Sequence, residues 1–316
     1  MKFRTQIEKY SFATQIGYQE HLLSLGSCFA EQIAQRLAEA KFRIVSNPTG
    51  ILFNPLSIAE AIRSYATPVQ QEELHHEAER WFHYAFHGSF SAPTAEEALL
   101  RMNTARRVGA EALRRADVVL ITFGTAWVYE REGSVVANCH RQPATEFTRR
   151  RLSVEEIVAC YEELLRTDLA GKRVILTVSP VRHIGDTLSG NSVSKATLRL
   201  AAEHLAEKVE AVEYYPSYEI VTDDLRDYRF YADDLAHPSP QAVAYIWEHF
   251  SQALLSPRAQ ALLPEVEAIC QAAAHRPLNP QSDAHRALCQ KMLARIDALP
   301  EVDFHTEAAF FRQSLK

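Results

Sequence analysis

"LLSLGSCFAEQI" (residues 22–33) joins an apolar run to an amphipathic segment through Gly26, Ser27 and Cys28. The run reads as a buried strand and the segment as a helix, so these three residues form a strand-to-helix turn. The same alternation recurs along the chain. Strands are expected at 21–25, 42–46, 117–123, 173–179 and 212–217, and helices at 29–41, 55–65, 95–115, 153–168, 191–209 and 240–254. Nearly unbroken apolar strands separated by helices predict a parallel sheet covered on both faces. The expected class is therefore α/β: a three-layer α/β/α sandwich around a central, mainly parallel sheet of about five strands. Gly133 in "VYEREGSVV" marks a hairpin inserted after the third strand. From Ser256 onward "SPRAQALLPEVEAICQAAAH" and "SDAHRALCQKMLARIDAL" read as helices, so 256–316 is expected as a helical extension packed on a domain spanning 1–255.

Composition narrows the function classes. The 316 residues are 47% apolar and 23% charged, as in an ordinary globular protein. A net charge of −6 argues against a nucleic-acid surface, and the arginine runs (Arg106-Arg107, Arg114-Arg115, Arg149 to Arg151) are short and interleaved with acids. No apolar stretch approaches the ~20 residues that span a bilayer, and the start lacks a signal-peptide core. No membrane partner is expected. Five cysteines without CxxC spacing suggest neither a disulfide framework nor a zinc site, which makes the cytoplasm the expected compartment. With neither GxGxxG nor GxxxxGK[ST], no nucleotide cofactor is expected, and none of another kind is required. His83 and His87, four apart, sit in an aromatic, strand-like segment that would separate them, so no metal site is expected.

In open parallel sheets, ligands bind beyond the carboxyl ends of the strands. Ser27 occupies that place after the first strand, beside a helix N-terminus whose free N–H groups can stabilise an oxyanion. Taken alone it is better read as an N-cap serine. Cys28, the next residue, is read as a buried structural cysteine. A second element is "YADDLAHPSPQAVAYIWEHF", where Asp234 and His237 stand three apart in one loop. A carboxylate there can fix the tautomer of the imidazole and stabilise its cation, while the imidazole takes the proton of a nucleophile. Pro238 stiffens the following chain, and Ser239-Pro240 is a good helix start.

A serine after the first strand together with DxxHP before a late helix resembles the SGNH (GDSL-like) hydrolases. The blocks "GSCFA", "NPTGILFNP", "FGTAWVY", "NCHRQPATEF", "SPVRH…NSVSKATL" and "YYPSYEI…LRDYRFYADDLAHPS" resemble, in the same order, the GSCFA-domain family across roughly residues 20–250. The resemblance implies an SGNH-hydrolase, flavodoxin-like fold. It further implies Ser27 as nucleophile, His237 as acid–base and Asp234 as its orienting acid. Asn47 or Gly50 is placed like the second oxyanion donor. The third departs from the superfamily pattern, because GxND is replaced by Gly124-Thr125-Ala126-Trp127, leaving Thr125, Asn47 or a backbone N–H to serve. Arg182 and His183, past the fourth strand, with Asn191, Ser194 and Lys195 soon after, suggest a rim for a polar or anionic group. His87 is expected to line the pocket. The implied activity is a serine esterase removing an O-acyl group, such as acetyl, from a small-molecule or carbohydrate ester. The alternatives are an O-acyltransferase using the same triad and a non-catalytic ligand-binding protein.

Overall fold

Five parallel strands form the centre of the molecule in a computed structural model that describes residues 4–8, 10, 12–279 and 281–315. In chain order, β1 (His21–Gly26) leads into α1 (Cys28–Glu39), and β2 (Arg43–Ser46) into α2 (Pro55–Ser64). A small hairpin, β3 (His75–Glu77) and β4 (Arg80–Phe82), precedes α3 (Ala95–Arg115) and β5 (Val118–Phe123). An antiparallel insert of β6 (Trp127–Arg131), β7 (Ser134–Val136) and β8 (Thr148–Arg151) follows. The sheet is completed through α4 (Val154–Arg166), β9 (Arg173–Val178), α5 (Thr187–Lys208) and β10 (Val212–Tyr214). A single turn α6 (Ser217–Glu219) and the helices α7 (Pro240–Leu254), α8 (Pro257–Ala274), α9 (Asp283–Asp297) and α10 (His305–Gln313) end the chain.

The strand order is β10-β9-β5-β1-β2, and every pairing is parallel. Alternate residues feed two cores, as the period of two requires. Leu22, Val118, Leu120 and Ile175 meet Phe29, Ile33 and Leu37 of α1 and Ile246 and Phe250 of α7 on one face. Leu23, Leu25, Val119, Ile121 and Leu176 meet Ile58 of α2, Tyr161 of α4 and Leu198 of α5 on the other. Burial on both faces explains why the strands read as continuous apolar runs. Leu262, Val266, Ile269, Met292 and Phe311 from α8 to α10 join the core on the α1–α7 face. The three-layer α/β/α architecture with a helical C-terminal region is thus present. No helix of the described residues is long and apolar enough to cross a membrane.

Among the differences from the sequence reading, two bear on the site and its surroundings. The expected hairpin around Gly133 gains a third strand, since β8 pairs with β6 from Trp127↔Arg151 to Glu130↔Thr148. Its turn has φ of 53° at Glu132 and 80° at Gly133, the positive pair that a primed two-residue turn demands. Helix α5 starts at Thr187 rather than 191, because the Thr187 hydroxyl takes the Gly190 N–H at 3.2 Å. On it, Asn191, Ser194 and Lys195 face inward and are buried.

Candidate active site

The carboxyl ends of β1, β5 and β9 lie side by side, with Gly26 opposite Thr122 and Phe123 opposite Val178. The turn after β1 requires its glycine. Gly26 has φ of +134°, and a Cβ there would collide with the Thr122 carbonyl. Its N–H donates to the Asn47 side-chain oxygen at 2.8 Å. Past this turn, Ser27 faces inward: it is 1% exposed, caps no helix N–H, and its hydroxyl has no partner among the described residues. Cys28, at the first position of α1, faces the site. Its Sγ lies 3.3 Å from Nε2 of His237. Cys28, read from the sequence as a buried structural cysteine, is part-buried against the core and is the side chain that reaches His237, whereas Ser27 turns inward. The reason is helical phase, since one step along the helix rotates a side chain by about 100°.

The second half of the site is built within one loop. Asp234 accepts the backbone N–H groups of Ala236 and His237 on one oxygen, each at 3.0 Å. Its other oxygen lies 2.6 Å from Nδ1 of His237, so that nitrogen donates and Nε2 is left to accept from the thiol. These bonds hold the Asp234 carboxyl down at about 2, the backbone N–H of His237 acting first. The loop closes through Ala232 N–H to the His237 carbonyl (2.8 Å) and Ser239 N–H to the Phe230 carbonyl (2.8 Å). Ser239 then caps α7, whose first residue is Pro240. A cleft of about 560 Å³, lined by Gln32, Gln35, Arg36, Pro238 and Pro240, opens beside His237.

The expected oxyanion donors are distributed differently. Gly50 N–H is spent on the Asn47 carbonyl (2.8 Å), and Gly124 and Thr125 N–H both donate to the Phe53 carbonyl (2.8 and 2.9 Å). The Thr125 hydroxyl sits 3.1 Å from Ser194 Oγ, and Ala126, wholly buried, gives its N–H to the same Oγ at 2.8 Å. Gly50, Gly124 and Thr125 are accordingly structural, and Ala126 does not front the site. Two donors stand close to this turn in the chain. One is the Cys28 N–H, which as a first-turn amide has no intrahelical acceptor. The other is the Asn47 side-chain amide, buried and without a partner among the described residues.

The remaining candidates brace the site. Arg182 lays its guanidinium 3.9 Å from the centre of the Tyr231 ring, while its N–H donates to the Ala236 carbonyl at 3.0 Å. It thereby ties the end of β9 to the acid–base loop. His183 takes support from Asn191 through its N–H (3.0 Å) and lies edge-on to Phe53. Burial first, then Lys195 and His237, pull its pKa down to about 4, so it is neutral at neutral pH. Nδ1 of His87 accepts the Ser89 N–H at 3.3 Å, and its Cβ abuts Gly50, so it shapes the turn beside the site. Asn191, Ser194 and Lys195 are buried struts rather than a rim. Burial pushes the Cys28 thiol up, opposed by the N–H groups of Phe29 and Cys28 and by Lys195. No cluster of metal-ligating residues occurs among the described residues.

The molecule is thus an α/β/α protein with a thiol–imidazole–carboxylate array at the carboxyl edge of a parallel sheet. The chain belongs to the GSCFA family: residues 21–250 match that family, and residues 266–316 match the C-terminal domain of GSCFA domain proteins. Neither the curated proteins nor the solved structures compared with the chain yield a match.

Proposed function

We propose that this chain is an SGNH-like esterase whose nucleophile is Cys28, one residue beyond the serine that the superfamily pattern suggests. The reading is carried by one observation: Cys28 Sγ lies 3.3 Å from a ring nitrogen of His237 whose other nitrogen rests on Asp234. Nε2 takes the thiol proton as sulfur attacks the acyl carbonyl. With its pKa raised by burial, the thiol is largely protonated at neutral pH, so the base is needed at the moment of attack. The Cys28 N–H and the Asn47 amide receive the oxyanion. Collapse expels the alcohol, which takes its proton from the imidazolium, and leaves a thioester. Water, deprotonated by His237, then attacks the thioester and restores the thiol. Asp234 stays ionised throughout and keeps the ring in one tautomer.

The substrate class is a small O-acyl ester, such as an acetyl group on a small molecule or carbohydrate. Five unpaired cysteines suit a reducing compartment such as the cytoplasm. The test is turnover of p-nitrophenyl acetate by the full chain and two variants. Cys28→Ala should lose about 1,000-fold or more, and Ser27→Ala no more than about threefold. The opposite pattern would restore Ser27 as nucleophile and overturn this reading. Acetyl appearing on an added alcohol instead of in water would identify an acyltransferase using the same residues. A folded chain that neither turns over ester nor alkylates at Cys28 would be a binding protein.

A further inference from the structure

The cleft of about 560 Å³ beside His237 runs between α1 and the start of α7, and its two walls differ in chemistry. The α1 wall is polar. Gln32, Gln35, Arg36 and Glu39 follow Cys28 by four, seven, eight and eleven positions, so they continue the helix face that presents the thiol. Gln35 donates to one Glu39 oxygen at 2.8 Å and Arg36 lies 3.9 Å from the other, so this wall carries no net charge. Gln32 stands apart from that network. Its side-chain oxygen is buried and has no partner among the described residues. An orphaned acceptor is costly, and a terminal amide turns readily about its last torsion to meet a ligand. The facing wall, formed by Pro238, Pro240 and Val243, offers apolar surface, and its prolines have no N–H to donate.

We infer that this cleft holds the leaving alcohol of the ester, that the alcohol is a neutral polyhydroxylated ring such as a sugar, and that Gln32 selects it. The inference rests on the esterase reading above. His237 itself lines the cleft and lies 3.3 Å from Cys28 Sγ. The imidazolium must protonate the departing oxygen, and an alcohol seated here departs beside the ring that does so. A polar wall facing an apolar one fits a ring whose hydroxyls project from its rim and whose C–H faces are apolar. The other occupants fit less well. An acyl chain would leave the Gln32 amide unsatisfied, and an anionic alcohol would need a cation that Glu39 does not already share.

The test compares two acetyl esters of six-carbon alcohols on the full chain: glucose acetylated at its primary hydroxyl, and hexyl acetate. Wild type should favour the sugar ester by about tenfold or more in kcat/KM, since a site with a polar group to satisfy discriminates against the alcohol that cannot pair with it. Gln32→Met keeps the length of the side chain and removes its polar end. In that variant, folded, the preference should fall by about tenfold, chiefly through KM for the sugar ester. A side chain that merely shaped the helix would alter both esters alike. The wild-type preference is read without any variant, so it decides the matter should Gln32→Met not fold. A preference for hexyl acetate in wild type, or an unchanged preference in folded Gln32→Met, overturns the inference and leaves the esterase reading in place. A folded wild type that turns over neither ester, nor p-nitrophenyl acetate, overturns both.

Discussion

The loop from Ala232 to Pro240 and the turns at the ends of β1, β2 and β5 build the two halves of one site by different means. In the loop, the contacts that hold the carboxylate and the imidazole span only a few residues: Asp234 serves Ala236 and His237, and Ala232 serves His237, with Arg182 bracing the Ala236 carbonyl from outside. At the strand ends the partners are remote: Asn47 serves Gly26, Phe53 serves Gly124 and Thr125, and Ser194 serves Ala126. The loop side chains are also half-open to solvent, with His237 at 41% and Asp234 at 50%, whereas Ser27, Asn47 and Thr125 are buried. The half that holds Asp234 and His237 is thus largely a local surface device. The half that presents Cys28 is a by-product of the sheet. Substitutions in the loop should change chemistry with little effect on stability, and substitutions at the strand ends should change stability, with or without chemistry.

His237→Ala should give the largest loss. Turnover of p-nitrophenyl acetate should drop about 1,000-fold, with the urea midpoint almost unmoved, because the ring is exposed and its removal orphans no buried group. A large loss of stability would break the comparison. Asn47→Ala comes next and should register in both measurements. It removes an oxyanion donor, costing about 100-fold in kcat. It also strips the acceptor from the buried Gly26 N–H, costing about 1–3 kcal/mol. A variant that loses stability alone would show that the Asn47 amide is idle in the chemistry.

The same division governs what was legible in the sequence. The strands and helices were readable because both faces of the sheet are buried and leave unbroken apolar runs. Asp234 and His237 were readable because a carboxylate three residues before a histidine can be held by one turn. Ser27 and Cys28 could not be told apart that way. Which of two neighbours meets an imidazole about two hundred residues on depends on the dihedrals of Gly26, and no residue pattern encodes that phase. The donors failed for a related reason: whether Gly50, Gly124 or Thr125 has a free N–H depends on carbonyls at Asn47 and Phe53. Lys195 was read as part of a rim for a polar group because it follows closely on the end of the fourth strand, whereas its side chain is buried. Which face of α5 packs inward decides that, and a lysine's presence in the sequence does not show it.

Asp234→Asn should sharpen the description of the loop. Its charge is half-exposed and screened by water, so the expected loss in turnover is smaller, about tenfold. Its carboxyl is held below its ordinary 3.8, at about 2. A depressed carboxyl contributes stability above the unfolded pKa and loses it as pH falls through the folded one. The stability difference between wild type and Asp234→Asn should therefore be level above about pH 5 and vanish towards pH 2. A difference that instead grows towards acid would show that the carboxylate is not held by these bonds.

The smallest effect on chemistry should come from placing at Ala126 the asparagine of the SGNH pattern. If the missing side chain at Ala126 weakened the oxyanion hole, Ala126→Asn would raise turnover. Ala126 is wholly buried, however, and its N–H is already taken by Ser194. An amide added there has no route to the acyl carbonyl and must find partners inside a packed core. Turnover per folded molecule should stay within about twofold, and stability should fall by about 2 kcal/mol or more. A gain in kcat would mean that the strand ends can re-aim a donor into the site, and the contrast between a chemical loop and a structural sheet edge would no longer hold.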